Sequence, residues 1–331
     1  MLRLIQLAGT AGRRVALVEE PRLRLLSGCE SIYELASDCL NTGVTLQQGI
    51  ERRKSAETLD YEQVYAGSTA WRIAPSADFP QHPARCLVSG TGLTHKASAK
   101  NRDAMHAAAQ TVTDSTRMYQ SGLEGGKPPA GEAGIAPEWF YKGSGAVLRG
   151  HNDPLDVPEH ADDGGEEPEV AGVYLIDAEG RPRRIGFTVG NEFSDHLLER
   201  KNYLYLAASK LRACAIGPEL IVDGGFDLLP GEVSVERAGR VLWSKSIHTG
   251  ENTMCHSLAN IEHHHFKFQF HRQPGDLHIH FFGADAFSFG EGINLEDGDI
   301  MQVRFEGFGR PLRNPLKRVP PSSKAVTVEP I

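Results

Sequence analysis

Short runs of alternating or wholly apolar residues, closed by glycine or proline turns, recur along most of this chain. They limit it to a strand-rich mixed fold. Leu2 and Leu4, then Val15 and Leu17, alternate on either side of a turn between Gly9 and Gly12. Val170 to Ile176 is apolar almost without interruption, as a strand buried on both faces must be. A turn at Ala178-Glu179-Gly180 leads to a second such run, Ile185 to Val189. Glu232 to Ser246 alternates about Arg237-Ala238-Gly239, the pattern of a hairpin. Leu277 to Phe282 and Ile300 to Phe305 alternate again. The turns draw on 35 glycines and 19 prolines in 331 residues.

Helical stretches are fewer. Ser31 and Glu34 predict a capping box for a helix through Leu40, stopped at Asn41-Thr42-Gly43, and a second helix follows from Thr45 to Arg53. One long helix is expected from Thr94 to Tyr119, a mobile loop over 121–134, a strand over 139–148, a helix from Asp195 to Leu211 and another from Met254 to His264. Strands and helices do not alternate regularly, which argues against a doubly wound parallel sheet. Neither GxGxxG nor GxxxxGK[ST] is found, so nucleotide binding is not expected. By organisation, residues 1–80 read as a small N-terminal α+β region, 85–318 as the main unit and 319–331 as a loose tail.

Composition removes further classes. Hydrophobic residues make up 40 % of the chain, enough for a sizeable core, yet no run approaches the about 18 residues of a membrane span. The first eleven residues lack a secretory h-region. The 35 basic residues face 43 acidic ones, a net charge of -8 without a basic stripe, so neither nucleic acid nor membrane is an expected partner. Cys29, Cys39, Cys86, Cys214 and Cys255 show no CxxC, which fits free thiols in a reducing cytoplasm.

Three groups of residues could carry chemistry. Glu167 and Glu169 lie two apart at the start of an apolar strand and so share a face. Burying both without a partner is costly, and a divalent cation removes that cost; the alternative is a solvated acidic edge with Asp162, Asp163 and Glu166. Glu192, after the strand Ile185 to Val189, is a third carboxylate, or an acid favoured at a helix N-terminus. The histidines His248, His256, His263 to His265, His271, His278 and His280 include a pair at strand spacing. There is no HExxH and no cysteine pair, so they read as hydrogen-bonded histidines rather than a zinc site. No GxSxG serine motif is present.

In order and spacing, the segments over about 85–316 resemble the fumarylacetoacetate hydrolase superfamily. The matching pieces are Gly150-His151-Asn152-Asp153-Pro154, Glu167-Pro168-Glu169, Asn191-Glu192-Phe193-Ser194, Ser209-Lys210-Leu211 before Gly217-Pro218, Pro274-Gly275-Asp276, Gly283-Ala284 and the run from Glu306 to Pro315. The resemblance implies a mixed β/α fold with a rolled β core and flanking helices. It also implies a homodimer or higher oligomer and Mg²⁺ (or Mn²⁺) held by Glu167, Glu169 and Glu192. Glu192 stands where the family usually has aspartate. Lys210 falls on the active-site lysine, and Ser194, His196 and Tyr203 on substrate-contacting positions. Lys142 and Ser144 are further pocket candidates, with an ordinary strand and a snorkelling lysine as the alternative.

Two departures set the expected chemistry. Where hydrolases of the family carry a histidine–glutamate dyad that activates water, this chain has Ser98 and Asn101, neither a competent base near neutral pH. The threonine of the family's Gly-Thr strand end is Ala284. A metal and a lysine without that dyad suit dehydration of a 2-keto-3-deoxy sugar acid through a metal-stabilised enolate. The run from Glu192 to Leu220 and Met254-Cys255-His256-Ser257-Leu258 carry a nearer resemblance to the 2-keto-3-deoxypentonate dehydratases of pentose breakdown, which yield 2-oxoglutarate semialdehyde. Lys210 is then the proton shuttle at C3, or a charged anchor for the substrate, with Ser98, His95 or a metal-bound water as acid at C4. The competing readings are an acylpyruvate (diketo-acid) hydrolase or decarboxylase using His95, and a non-catalytic sugar-acid binder.

Overall fold

The computed structural model describes residues 1–97, 99–100, 113–320, 322 and 324–331. Its centre is the antiparallel pair Pro168–Ile176 and Pro182–Asn191, in which Glu169 faces Gly190 and Val170 faces Val189. Every residue of Pro168–Ile176 is buried, because both faces of this strand are covered. Leu277–Phe281 extends the sheet on one side, followed by Cys86–Gly92 and Glu138–Ser144; Cys214–Ile221 extends it on the other. Arg3–Gly9 pairs with Cys214–Ile221, so the hairpin Arg3–Gly9/Gly12–Glu19 and then Arg22–Leu26 and Lys54–Asp60 continue the same sheet. Among the described residues this open sheet has 12 strands, and a second sheet of 5 packs beside it: Arg240–Thr249, Leu229–Arg237, Ile300–Phe305, Leu312–Arg318 and Leu155–Val157. This is the mixed fold of large sheets and few helices read from the sequence.

Between the two sheets lies one apolar cluster, built from Val170, Tyr174, Phe187 and Val189 on one side and Val233, Val235, Met301, Val303 and Phe305 on the other. The opposite face of the large sheet carries Ala171, Val173, Ile279 and Phe281, covered in part by the helix Ile32–Thr42 through Ile32, Leu35 and Cys39. That helix starts at Ser31, whose hydroxyl accepts from the Glu34 N–H, and stops at Gly43 in the left-handed region (φ 66°). Leu46–Arg53 follows with a full capping box at Thr45. Glu219 ties the first strands and the Tyr61–Tyr65 helix to the rest: buried, it accepts from Tyr61 Oη at 2.6 Å and Arg310 N at 3.1 Å and pairs with Arg3 at 3.1 Å.

Several elements differ from the sequence expectation. The Asp195–Leu211 helix is two short ones, His196–Lys201 and Leu206–Lys210, because Asn202 is extended and caps a tight turn at Tyr203–Tyr205. The 121–134 loop begins later, since the helix Asp114–Gly125 runs through two glycines. Gly122 allows close approach there, as a Cβ would lie 2.8 Å from Cys255 Sγ. The strand expected over 139–148 is Glu138–Ser144 with a short Leu148–Arg149. The Met254–His264 helix is Leu258–Phe266, started by Ser257 capping Asn260. The middle of the long helix expected from Thr94 to Tyr119, like Ser98 and Asn101, lies outside the described residues. No helix among the described residues is long and apolar enough to cross a membrane.

Candidate functional site

Glu167, Glu169 and Glu192 converge. One carboxylate oxygen from each lies within 4.8 Å of the others, and all three residues are buried. Sheet pairing brings them together: Glu169 points to the Ala171 and Phe281 face of its strand, and the chain after the neighbouring strand returns so that Glu192 N donates to Glu167 O at 3.0 Å. Asn191 Oδ1 accepts from both Glu167 N and Phe193 N at 3.3 Å, locking the two segments together. The solvated-edge alternative fails, because Glu166 is also buried, accepting from Ser288 N at 2.6 Å and Ser288 Oγ at 2.9 Å.

Two buried lysines bracket Glu192. Lys210 Nζ donates to Glu167 Oε1 at 2.6 Å, Glu192 Oε2 at 2.5 Å and Ser194 Oγ at 2.9 Å, and lies 4.8 Å from the Phe140 ring centre. Lys142 Nζ is 2.5 Å from Glu192 Oε1 and donates to the carbonyls of Glu192 and Phe193. Glu169 Oε2 accepts from Gly283 N at 2.7 Å. Burial, then repulsion from Glu192 and Glu167, holds the Glu169 carboxyl well above its ordinary pKa. Burial also raises Glu192, against the pull of Lys142 and Lys210.

His196 Nε2 lies 3.1 Å from Glu167 Oε1, and its ring stacks on Phe287 at 4.7 Å. Burial pulls its pKa down, but Glu167 and Glu199 outweigh that and raise it. Of the sequence candidates, Lys142, Ser194, His196 and Lys210 thus join the glutamates directly. Ser144 sits at the far end of its strand with Oγ accepting from Ala146 N at 3.5 Å, and Tyr203 stands partly exposed in the turn before Leu206–Lys210. His95 is buried. Thr94 Oγ1 donates to Phe282 O at 2.8 Å, so it accepts from His95 Nδ1 at 2.9 Å, and the ring proton is on Nδ1. Burial depresses the His95 pKa to about 4.

The strand Glu138–Ser144 alternates, with Glu138, Phe140 and Lys142 buried on the glutamate face and Trp139 and Tyr141 on the other. Glu138 escaped the sequence reading, although the i, i+2, i+4 spacing of Glu138-Trp139-Phe140-Tyr141-Lys142 carried the signal. Glycines opposite make room for it: a Cβ on Gly92 would lie 1.9 Å from Glu138 Oε1, and one on Gly90 2.5 Å from the Phe140 ring. The histidines line the other face. His265 bonds to His278, Ser89 and Trp139, His280 bonds to Ser89 and Thr91, and among the described residues only the three glutamates converge as metal donors.

Three hard oxygen donors with charge repulsion between them suit Mg²⁺ or Mn²⁺ rather than zinc. The same fold is found in solved structures of a sugar-acid dehydratase and of an isomerase. In structure the chain is similar to 2-keto-3-deoxy-D-arabinonate dehydratase, both apo (TM-score 0.71, 20 % identity, 96 % of this chain and 99 % of that one) and complexed with magnesium and 2,5-dioxopentanoate (TM-score 0.70). A 2-hydroxyhepta-2,4-diene-1,7-dioate isomerase from Mycobacterium marinum is more distant, at TM-score 0.58 and 17 % identity over 96 % of this chain and 99 % of that one.

In sequence the chain is 27 % identical over 179 residues to a probable 2-keto-3-deoxyxylonate dehydratase of Haloferax volcanii (52 % of this chain, 58 % of that protein). It is 30 % identical over 122 residues to a 2-dehydro-3-deoxy-D-arabinonate dehydratase of Saccharolobus solfataricus (35 % and 40 %). The chain thus spans about half the length of the curated relatives it matches. No family model matches.

Proposed function

We propose that this protein is a Mg²⁺- or Mn²⁺-dependent hydro-lyase that dehydrates a 2-keto-3-deoxy sugar acid, a 2-keto-3-deoxypentonate, to 2,5-dioxopentanoate. The observation that carries the reading is the convergence of Glu167, Glu169 and Glu192 around Lys210. Those three carboxylates would hold the cation, which when bound supplies Lewis acidity toward the 2-keto oxygen. With both lysines charged the cluster keeps one uncompensated negative charge; a divalent cation turns this to a single positive one, matched to a monoanionic keto acid.

Lys210 takes the C3 proton as the neutral amine, its own proton having left beside the cation, or as the ammonium steadies the negative charge left on the substrate. Glu138, on the same strand face as Phe140, is placed to pass a proton to the departing C4 hydroxyl. His95, neutral with its proton on Nδ1, can only accept at Nε2. Loss of the C3 proton and the C4 hydroxyl is loss of one water. Transfer of a proton from C5 to C3 then gives the C4–C5 enol, and movement of its hydroxyl proton to C4 yields the 5-aldehyde. Sequence relatives named as pentonate dehydratases and the fold of the magnesium complex support this reading. We place the protein in the cytoplasm, where its five buried free thiols would persist, as a homodimer or higher oligomer.

The test is incubation of the purified protein with racemic 2-keto-3-deoxypentonate and Mg²⁺. Aldehyde should form, and EDTA should stop it. Carbon–carbon cleavage of an acylpyruvate without aldehyde formation would give the hydrolase reading instead.

A further inference from the structure

We infer that Lys142 is a positioning residue of the metal centre, fixing the Glu192 carboxylate, and that it makes no bond to the substrate. The inference rests on the reading of Glu167, Glu169 and Glu192 as ligands of a divalent cation.

Lys142 is 0 % exposed. A lysine ammonium has three N–H donors. Two backbone carbonyls accept from this one, Phe193 O at 2.7 Å and the carbonyl of Glu192, and Glu192 Oε1 lies 2.5 Å away as its ion-pair partner. All three oxygens are the chain's own. The two carbonyls turn toward one nitrogen because Phe193 takes a left-handed backbone conformation, φ 33°, at the chain reversal after Pro182–Asn191. Carbonyls in this segment cannot swing away, since Asn191 Oδ1 and the paired Gly165 and Ser194 backbones hold it on both sides.

Lys142 is therefore moored by two bonds to the backbone, and its charge holds the Glu192 carboxylate as an ion pair. A glutamate side chain has three torsions. Left to itself, its carboxylate is a poorly placed ligand, and an outer partner that fixes it is worth metal affinity. With Oε1 held by Lys142, Oε2 is the oxygen that shares Lys210 with Glu167. Lys210 bonds to the side chains of Glu167, Glu192 and Ser194. The two lysines thus divide the work: Lys142 sets the geometry of one ligand, and Lys210 bridges two of them, Glu167 and Glu192.

The experiment is Mn²⁺ binding to the full-length wild type, Lys142→Met and Lys142→Gln, followed by electron paramagnetic resonance titration, with KM and kcat for the 2-keto acid measured at saturating Mn²⁺. Glutamine keeps two donors for the two carbonyls and loses the charge, so it decides the matter if the methionine variant does not fold. The Mn²⁺ dissociation constant should rise about 10- to 100-fold in the variants. The bound-Mn²⁺ spectrum should broaden, and KM at saturating metal should stay unchanged while kcat falls. Unchanged Mn²⁺ affinity with a raised KM would make Lys142 a substrate ligand and overturn the inference. A wild type that binds no Mn²⁺ would overturn the metal reading beneath it.

Discussion

Replacing Glu169 by glutamine should raise stability without a divalent cation and not with one. The Glu169 carboxylate lies within 4.8 Å of those of Glu167 and Glu192. At an effective dielectric of about 20, two unit charges at that separation repel by about 3 kcal/mol. Two such repulsions are opposed by one attraction of similar size to Lys210, so removing the charge relieves about 3 kcal/mol at most. The gain is smaller to the extent that burial and the two neighbours already keep Glu169 protonated.

The glutamine carbonyl retains the bond from Gly283 N. An unfolding entropy of about 2.1 cal/mol/K per residue over this length converts each kcal/mol into about 1.4 °C. Metal-free Glu169→Gln should therefore melt about 2–4 °C above the wild type by scanning calorimetry in EDTA. In saturating Mg²⁺ this gap closes or reverses. At a hundred times its dissociation constant the cation stabilises the wild type by about 2.7 kcal/mol, or about 4 °C, and the variant hardly at all. A variant that melts lower than the wild type in EDTA, or one that keeps the full Mg²⁺ shift, refutes the argument that charge repulsion at this centre awaits a cation.

Three other outcomes follow from the same structure. Lys210→Met should lower kcat by about 10²- to 10⁴-fold, the usual size of an acid–base contribution, and leave Mn²⁺ binding in place; equal loss of both would make the lysine a structural part of the centre. Burial pushes His278 and His280 to about 3 from an ordinary 6.5, so the folded state binds fewer protons there than the unfolded chain. Their stabilisation is complete above about 6.5 and is lost as pH falls toward about 3. His280→Asn should flatten the fall in urea midpoint between pH 7 and 5, and an unaltered slope would count against this assignment. Glu219→Ala should cost about 3 kcal/mol by stranding the buried Tyr61 hydroxyl and the half-buried Arg3, with Mn²⁺ affinity unchanged. Urea unfolding measures the first, and a loss under 1 kcal/mol would show that the contact holds little together.

The sequence by itself determined the strands, because alternation and apolar runs record which residues must leave water whatever the chain does elsewhere. The hairpin at Ala238-Gly239, the capped helix after Ser31 and the buried strand beginning at Pro168 are all local decisions. The grouping of Glu167, Glu169 and Glu192 with Lys210 came only from the resemblance in order and spacing, because taken alone the residues also fitted a solvated acidic edge. The tertiary structure alone decided which face of each strand meets the glutamates, since side-chain alternation defines two faces but long-range register chooses between them. Glu138 and Lys142 turn to that face because Glu138–Ser144 pairs with Cys86–Gly92, and Gly90 and Gly92 leave room there for Phe140 and Glu138. The fate of Lys142 depended on a backbone reversal at Phe193, more than fifty residues away (|i−j| = 51), that no local pattern announces. The joining of the first strands to the central sheet rests on Arg3–Gly9 pairing with Cys214–Ile221, a contact between distant segments that periodicity cannot encode.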